Sequence, residues 1–213
     1  MTVGSTEVTK SAGAGLAGAG AGKVTAVVFD VGETLVDETR NWERVADECN
    51  VPRFTLMALI GAAAERGERP HKALEWLNVK PSRGAFLHDE FYPDAVACLS
   101  RCREAGLVVG AVGNMGIGHE NLIEPHVDFV SSSERLGVEK PSPDFFKRIV
   151  DMTRRPTEEV AYIGDLVKND IAPALAAGMV AVHILRGPWA YLHEPPPEAI
   201  RIRSLHELPA ALP

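Results

Sequence analysis

Long apolar runs, a basic surplus and cysteine pairs are all scarce in this chain, and each scarcity removes a class of function. No apolar run reaches the roughly 18 to 20 residues needed to span a bilayer, so no membrane segment is expected. Lys and Arg number 22 against 29 Asp and Glu, a formal charge of -7, and the basic residues are scattered. Neither a nucleic acid nor an anionic membrane is therefore expected as a partner. Three cysteines, Cys49, Cys98 and Cys102, cannot all pair, and none stands at metal-ligand spacing from a histidine. Cys98 and Cys102 lie one helical turn apart and read as buried thiols in a reducing cytoplasm. The N-terminus lacks the basic start and leucine-rich stretch of a signal peptide, which agrees with a cytoplasmic location. Residues 1–22 are rich in Gly and Ala, offer little area to bury, and lack the Gly-Lys-Ser/Thr ending of a phosphate-cradling loop. A flexible tail is the expectation there.

What the chain does have is a set of apolar strands that stop at chemistry. The run at 24–29 ends at Asp30, followed by Val31, Gly32, Glu33, Thr34 and Leu35. A β-branched run of strand length that stops at a carboxylate reads as a buried parallel strand delivering an acid to the carboxyl edge of a sheet. Open α/β sheets bind their ligands at that edge. A second apolar strand ends at Gly113 and Asn114, a small polar tip whose backbone N–H groups can face an anion. Lys140 sits on a loop stiffened by Pro141 and Pro143 just before a helix, a good place for a fixed cation and one where little packing is expected of the lysine. A third strand ends at Gly164 and Asp165, with Asp170 five positions on. An acid, a cation and a second acid at one edge are what an aspartate nucleophile for phosphoryl transfer needs.

Between and beyond these tips the chain alternates. Further strands are predicted at 129–131, 160–163 and 179–184, and helices at 143–153 and 171–177, while Pro93 and Gly106 bracket another helix. Such alternation predicts crossover connections and a doubly wound parallel sheet, an α/β Rossmann-like core. Residues 38–91 differ. They are rich in helix formers at 54–60 and 71–77, with Pro52 and Pro70 near the starts, and predict a small inserted helical cap. The expected organisation is a tail at 1–22, a core made of 23–37 and 92–213, and a cap at 38–91.

With these motifs in order, the chain resembles the haloacid dehalogenase-like hydrolase superfamily over residues 23–202. The resemblance rests on the loop Asp30-Val31-Gly32-Glu33-Thr34, the tip Gly113-Asn114, Lys140, and Gly164-Asp165 with Asp170; Tyr92-Pro93-Asp94 resembles the family's return from its cap. It implies that Asp30 is the nucleophile, forming an aspartyl phosphate. It also implies Mg²⁺ held by Asp30, the Gly32 carbonyl and Asp165, and a small phosphorylated substrate whose phosphate meets Gly113, Asn114 and Lys140. Lys140 would fix the nucleophile, Asp170 would orient Lys140 or the loop, and Thr34 would tighten the loop through a local hydrogen bond.

Two departures bear on catalysis. Phosphatases of the family usually carry an acid–base aspartate two residues after the nucleophile, here Gly32, and a Ser or Thr at the second tip, here Gly113. Glu33 stands beside the missing acid, but side-chain alternation in an extended loop would turn it away from phosphorus. Four readings follow: a Mg²⁺-dependent phosphatase with weakened or substrate-assisted acid catalysis; a degraded member binding a phosphorylated ligand or a protein; a 2-haloacid dehalogenase, which Asp165 argues against; and a phosphonoacetaldehyde-hydrolase-like enzyme using a cap lysine, Lys72 or Lys80. The first is favoured. In the cap, Trp42, Arg53 and Trp76 are candidates to touch the leaving group, the tryptophans reading rather as cap core. His119 and His126 lie beyond the second tip without partners at triad or metal spacing. Nothing in the sequence sets an oligomeric state.

Overall fold

The computed structural model describes residues 23–82 and 90–213. The expected tail at 1–22 and the part of the cap at 83–89 lie outside those residues. Six strands form one parallel sheet: β1 (Ala26–Phe29), β2 (Val108–Gly113), β3 (Phe129–Ser132), β4 (Val160–Gly164), β5 (Val180–Ile184) and β6 (Ile200–Ile202). The order β3-β2-β1-β4-β5-β6 reverses direction at β1. A reversal of strand order opens a crevice beyond the strand ends, and Asp30 stands there. Phe29 pairs with Ala111 on one side and Ile163 on the other, so Asp30 comes level with the ends of β2 and β4.

Alternation along β1 divides the core. Val27 and Phe29 face a layer with Ala95, Cys98, Leu99 and Cys102 of α4 (Ala95–Glu104). Ala26 and Val28 face Phe145, Phe146 and Ile149 of α7 (Pro143–Thr153) and Ala174 of α8 (Ala172–Ala176). Both faces of the sheet are covered, which is why its strands read as continuous apolar runs. Cys98 and Cys102 are buried free thiols within the first layer. Short helices α5 (Glu120–Ile123) and α6 (Ser133–Leu136) flank β3, and α9 (Leu208–Ala211) follows β6.

Three helices follow β1: α1 (Thr39–Glu48), α2 (Arg53–Glu65) and α3 (Lys72–Trp76). Their apolar faces form a separate cluster of Trp42, Ala46, Leu56, Ile60, Ala73 and Leu74. Trp189, from the loop after β5, completes that cluster, with Leu166 and Leu192 packed against it. The helical unit is therefore seated on the core by the core's own residues. Val36 and Phe91 form an antiparallel bridge where the chain leaves and re-enters, reinforced by Tyr92 N–H to Leu35 C=O at 2.9 Å. No helix among the described residues is long and apolar enough to cross a membrane.

Candidate active site

Asp30, Lys140, Asp165 and Asp170 converge beyond the ends of β1 and β4. Lys140 Nζ lies 2.6 Å from Asp30 Oδ1 and 2.6 Å from Asp170 Oδ1. The lysine is not the loosely packed loop residue its neighbours suggest, since its side chain is only 5% exposed. Three segments bury it. Asn114 Oδ1 accepts the Lys140 N–H at 2.9 Å and its Nδ2 donates to the Lys140 carbonyl at 3.1 Å. The Tyr162 ring lies 5.8 Å from Nζ, its hydroxyl anchored on the Val112 carbonyl at 2.9 Å. Burial works against the ammonium, but Asp170 and Asp30 outweigh it and hold Lys140 well above its ordinary range.

The acids outnumber this cation. Oxygens of Asp30, Asp165 and Asp170 all lie within 4.8 Å of one another. Asp170 has both oxygens engaged, Oδ1 by Lys140 and Oδ2 by the Leu166 N–H at 2.8 Å. A single π-helical turn, Val167–Ile171, aims it there, and Gly164 leaves the room, because a Cβ at that position would stand 2.6 Å from the Asp170 side chain. Asp165 Oδ2 is buried and has no hydrogen-bond partner. Burial, then the charges of Asp170, Asp30 and Glu33, push the Asp165 carboxyl well up. Burial and Asp30 raise Asp170 to about 6 despite Lys140. An orphaned buried oxygen in a nest of hard oxygen donors with surplus negative charge fits a divalent cation of the Mg²⁺ kind.

One expected detail is made specific and two differ. The Asn114 side chain is committed to the Lys140 backbone, so what it can offer an anion is its own backbone N–H. Thr34 Oγ1 is buried without a hydrogen-bond partner, and does not tighten the loop. Backbone bonds do so instead: the Val31 carbonyl accepts from Thr34, Leu35 and Val36 at 3.4, 2.9 and 2.9 Å. Glu33 does turn aside, but through a left-handed backbone (φ 54) rather than extended alternation. Its Oε2 accepts the Tyr92 hydroxyl at 2.6 Å and its Oε1 the Glu38 N–H at 3.1 Å.

The two glycines are close-packed. A Cβ at position 113 would lie 2.7 Å from Asp30 Oδ1 and 3.4 Å from Val31. A Cβ at position 32 would lie 2.8 Å from the carboxyl carbon of Glu38 and 3.0 Å from each of its oxygens. Burial, with Glu33 and Asp30 close by, pushes Glu38 up to about 8. Glu38 escaped the sequence reading, as did α1 itself, though Glu38, Trp42 and Ala46 recur every four residues and so share a helix face. His183 also escaped it. Buried on β5, it meets the Asp165 carbonyl through Nε2 at 2.9 Å; since a carbonyl only accepts, the ring proton is on Nε2.

Trp42 is 5% exposed within the helical unit's own cluster. Arg53 pairs with Asp47 at 2.7 Å and Glu43 at 3.1 Å on the surface, and Arg66 covers the Trp76 ring at 5.0 Å. None of the three is shown against Asp30. His126 packs edge-on to Phe91.

A parallel sheet reversing at an aspartate, with one lysine among three acids, places the chain among α/β proteins that gather charge at the switch point of the sheet. The chain belongs to the haloacid dehalogenase-like hydrolase family, whose sequence model matches residues 24–178. A glyceraldehyde 3-phosphate phosphatase of Methanocaldococcus jannaschii is 34% identical over 123 residues, 55% of this chain and 54% of that protein. A phosphoserine phosphatase of Thermus thermophilus is 30% identical over 171 residues, 72% of this chain and 66% of that one. The chain thus spans about half to two thirds of the length of these curated relatives. A dehalogenase crystal structure with an intermediate complex superposes with a TM-score of 0.68 at 20% identity, covering 89% and 97% of the two chains. A HAD phosphatase from Thermococcus onnurineus gives 0.63 at 18%, covering 88% and 97%. These two likenesses establish the fold.

Proposed function

We propose that this protein hydrolyses phosphate monoesters of small molecules through an aspartyl phosphate on Asp30, with Mg²⁺ as cofactor. The observation that carries this reading is Asp165, a buried acid with an orphaned oxygen beside two further aspartates and one lysine. Dehalogenation needs no metal-binding acid there. Asp30, the Gly32 carbonyl and Asp165 would hold the ion, which when bound offsets the charge of the phosphoryl oxygens. Asp30 attacks phosphorus; Lys140, fixed by Asn114 and Asp170, holds the Asp30 carboxylate in place and neutralises part of the charge that accumulates. The backbone at Gly113 and Asn114 and the Lys140 ammonium would meet the phosphoryl oxygens. The two curated phosphatase relatives support a phosphorylated substrate. A cap-lysine Schiff base is disfavoured, because Lys72 is bonded to Glu75 at 2.6 Å, which holds its ammonium above the ordinary range, and Lys80 is exposed.

Glycine at both 32 and 113 favours one second reading, a binding protein for a phosphorylated ligand or a protein partner. A screen of phosphorylated metabolites with and without Mg²⁺, using Asp30→Asn as the blank, separates the two. The expected result is Mg²⁺-dependent phosphate release that the blank lacks. A protein that binds Mg²⁺ yet releases phosphate from no ester would be the binding protein instead.

A further inference from the structure

We propose that Glu38 is the acid–base residue of this site, its carboxyl occupying the place left open by Gly32. The inference rests on the phosphate-ester reading above and supplies the proton transfers that reading lacks.

Three observations carry it. First, the Glu38 carboxyl and a side chain at position 32 exclude one another, because a Cβ there would stand 2.8 to 3.0 Å from all three carboxyl atoms. Such mutual exclusion is the geometry expected of one group relocated six residues along the chain. Second, the backbone that carries it is held. The Glu38 N–H donates to Glu33 Oε1 at 3.1 Å, and its carbonyl accepts the Trp42 N–H at 3.0 Å where α1 begins. Third, neighbouring acids are committed. Glu33 bonds Tyr92 and the Glu38 backbone, Asp170 bonds Lys140 and Leu166, and Asp37 Oδ1 accepts the Thr39 N–H at 2.9 Å.

The steps balance. Asp30 bonds to phosphorus as the ester P–O bond breaks, and the leaving oxygen takes both the electron pair and the Glu38 proton. The alcohol departs, leaving an aspartyl phosphate and a Glu38 carboxylate. That carboxylate then takes a proton from water as the water oxygen bonds to phosphorus and the bond to Asp30 breaks. Inorganic phosphate leaves, with Asp30 ionised and Glu38 protonated as at the start.

The test compares wild type, Glu38→Gln and a Glu38→Ala/Gly32→Asp double variant on glycerol phosphate and p-nitrophenyl phosphate with Mg²⁺. Intact-mass analysis of the quenched protein reports any phosphoryl group retained. Glu38→Gln is expected to slow the alkyl ester by about 10² to 10⁴-fold. The aryl ester, whose leaving group needs no proton, should still phosphorylate the protein, and the phosphoryl group should persist. The double variant should recover alkyl-ester turnover, because the new side chain and the lost one share one space. A wild-type rate in Glu38→Gln overturns the inference. So does an equal loss on both esters without retained phosphoryl group, or a folded double variant that recovers nothing. A wild type inert towards both esters overturns instead the phosphatase reading beneath it.

Discussion

Two buried charge networks flank the loop after β1, each built around aspartate and one basic side chain and balanced in opposite ways. In one, Asp94 Oδ2 accepts from Arg186 Nη2 at 2.5 Å, Ser204 Oγ at 2.8 Å and the Leu205 N–H at 2.9 Å. Arg186 stacks on Tyr92 at 4.1 Å and donates to the Thr34 carbonyl at 3.0 Å. In the other, Asp30, Asp165 and Asp170 share Lys140. Burial raises both kinds of aspartate, yet hydrogen bonds and the charge of Arg186 bring Asp94 below its ordinary value, whereas Asp165 stays well above. The first network closes its own charge and holds the loop to the core. The second leaves charge for something outside the chain to complete, which is the physical difference between a scaffold and a site.

The largest effect is expected at Asp30. Asp30→Asn should lower turnover by about 10⁴-fold or more. It should not lower the melting temperature of the metal-free protein, because it removes one surplus charge. Asp94→Asn should do the reverse, leaving activity chemistry intact but costing about 3–5 kcal/mol in urea unfolding, since Arg186 loses its counter-charge in a buried setting. Equal stability changes in the two variants would erase the distinction. Lys140→Ala belongs with Asp94→Asn in stability and with Asp30→Asn in activity, because it strips the ammonium that pairs with both Asp30 and Asp170.

Metal binding is expected to act on the acid-rich network at a smaller magnitude. At 100 times its dissociation constant Mg²⁺ should stabilise the wild type by about 2.7 kcal/mol. Asp165→Asn should remove that gain in calorimetric titration while stabilising the metal-free protein by on the order of 1 kcal/mol. An unchanged Mg²⁺ heat in Asp165→Asn would place the ion elsewhere.

The two networks also predict opposite pH slopes. Asp170 rises from 3.8 to about 6 on folding and Glu38 from 4.5 to about 8, so over those intervals the native state holds more protons than the unfolded one. Stability is lost as pH rises through them. Asp94 is depressed, and its contribution is lost only as pH falls towards its folded value. Without metal, the melting temperature should therefore fall from about pH 5.5 to about pH 7.5, and saturating Mg²⁺ should flatten that fall. A metal-free melting temperature that climbs over this range would contradict the surplus. The smallest effect concerns Gly113→Ser. Rather than adding a useful hydroxyl, its Cβ would crowd Asp30 Oδ1, costing about 1–3 kcal/mol and some turnover, measurable by urea unfolding and steady-state rates.

How much of this was legible depends on how far apart the responsible atoms lie in the chain. Each strand tip is local information: an apolar run and the residue that ends it are neighbours, so Asp30, Gly113 and Asp165 were readable, as was the parallel sheet that aligns them. The strand β6 was not, because Ile200–Ile202 is too short to show a period. Lys140 was readable as a position but not as a buried group, since Asn114, Tyr162 and Asp170 reach it from three separate segments.

Readable along the chain alone were most of the core strands and helices, though not α1 or β6, together with the acids and lysine at one sheet edge and the glycine in place of an acid at position 32. Those follow from composition and period along a continuous stretch. Only the tertiary structure decided which acids are balanced and which are left over, that Arg186 belongs to Asp94, and that Glu38 fills the space beside Gly32. These depend on side chains meeting across turns and between strands, where a few ångströms of backbone path, set by bonds such as those converging on the Val31 carbonyl, decide which carboxyl faces which neighbour.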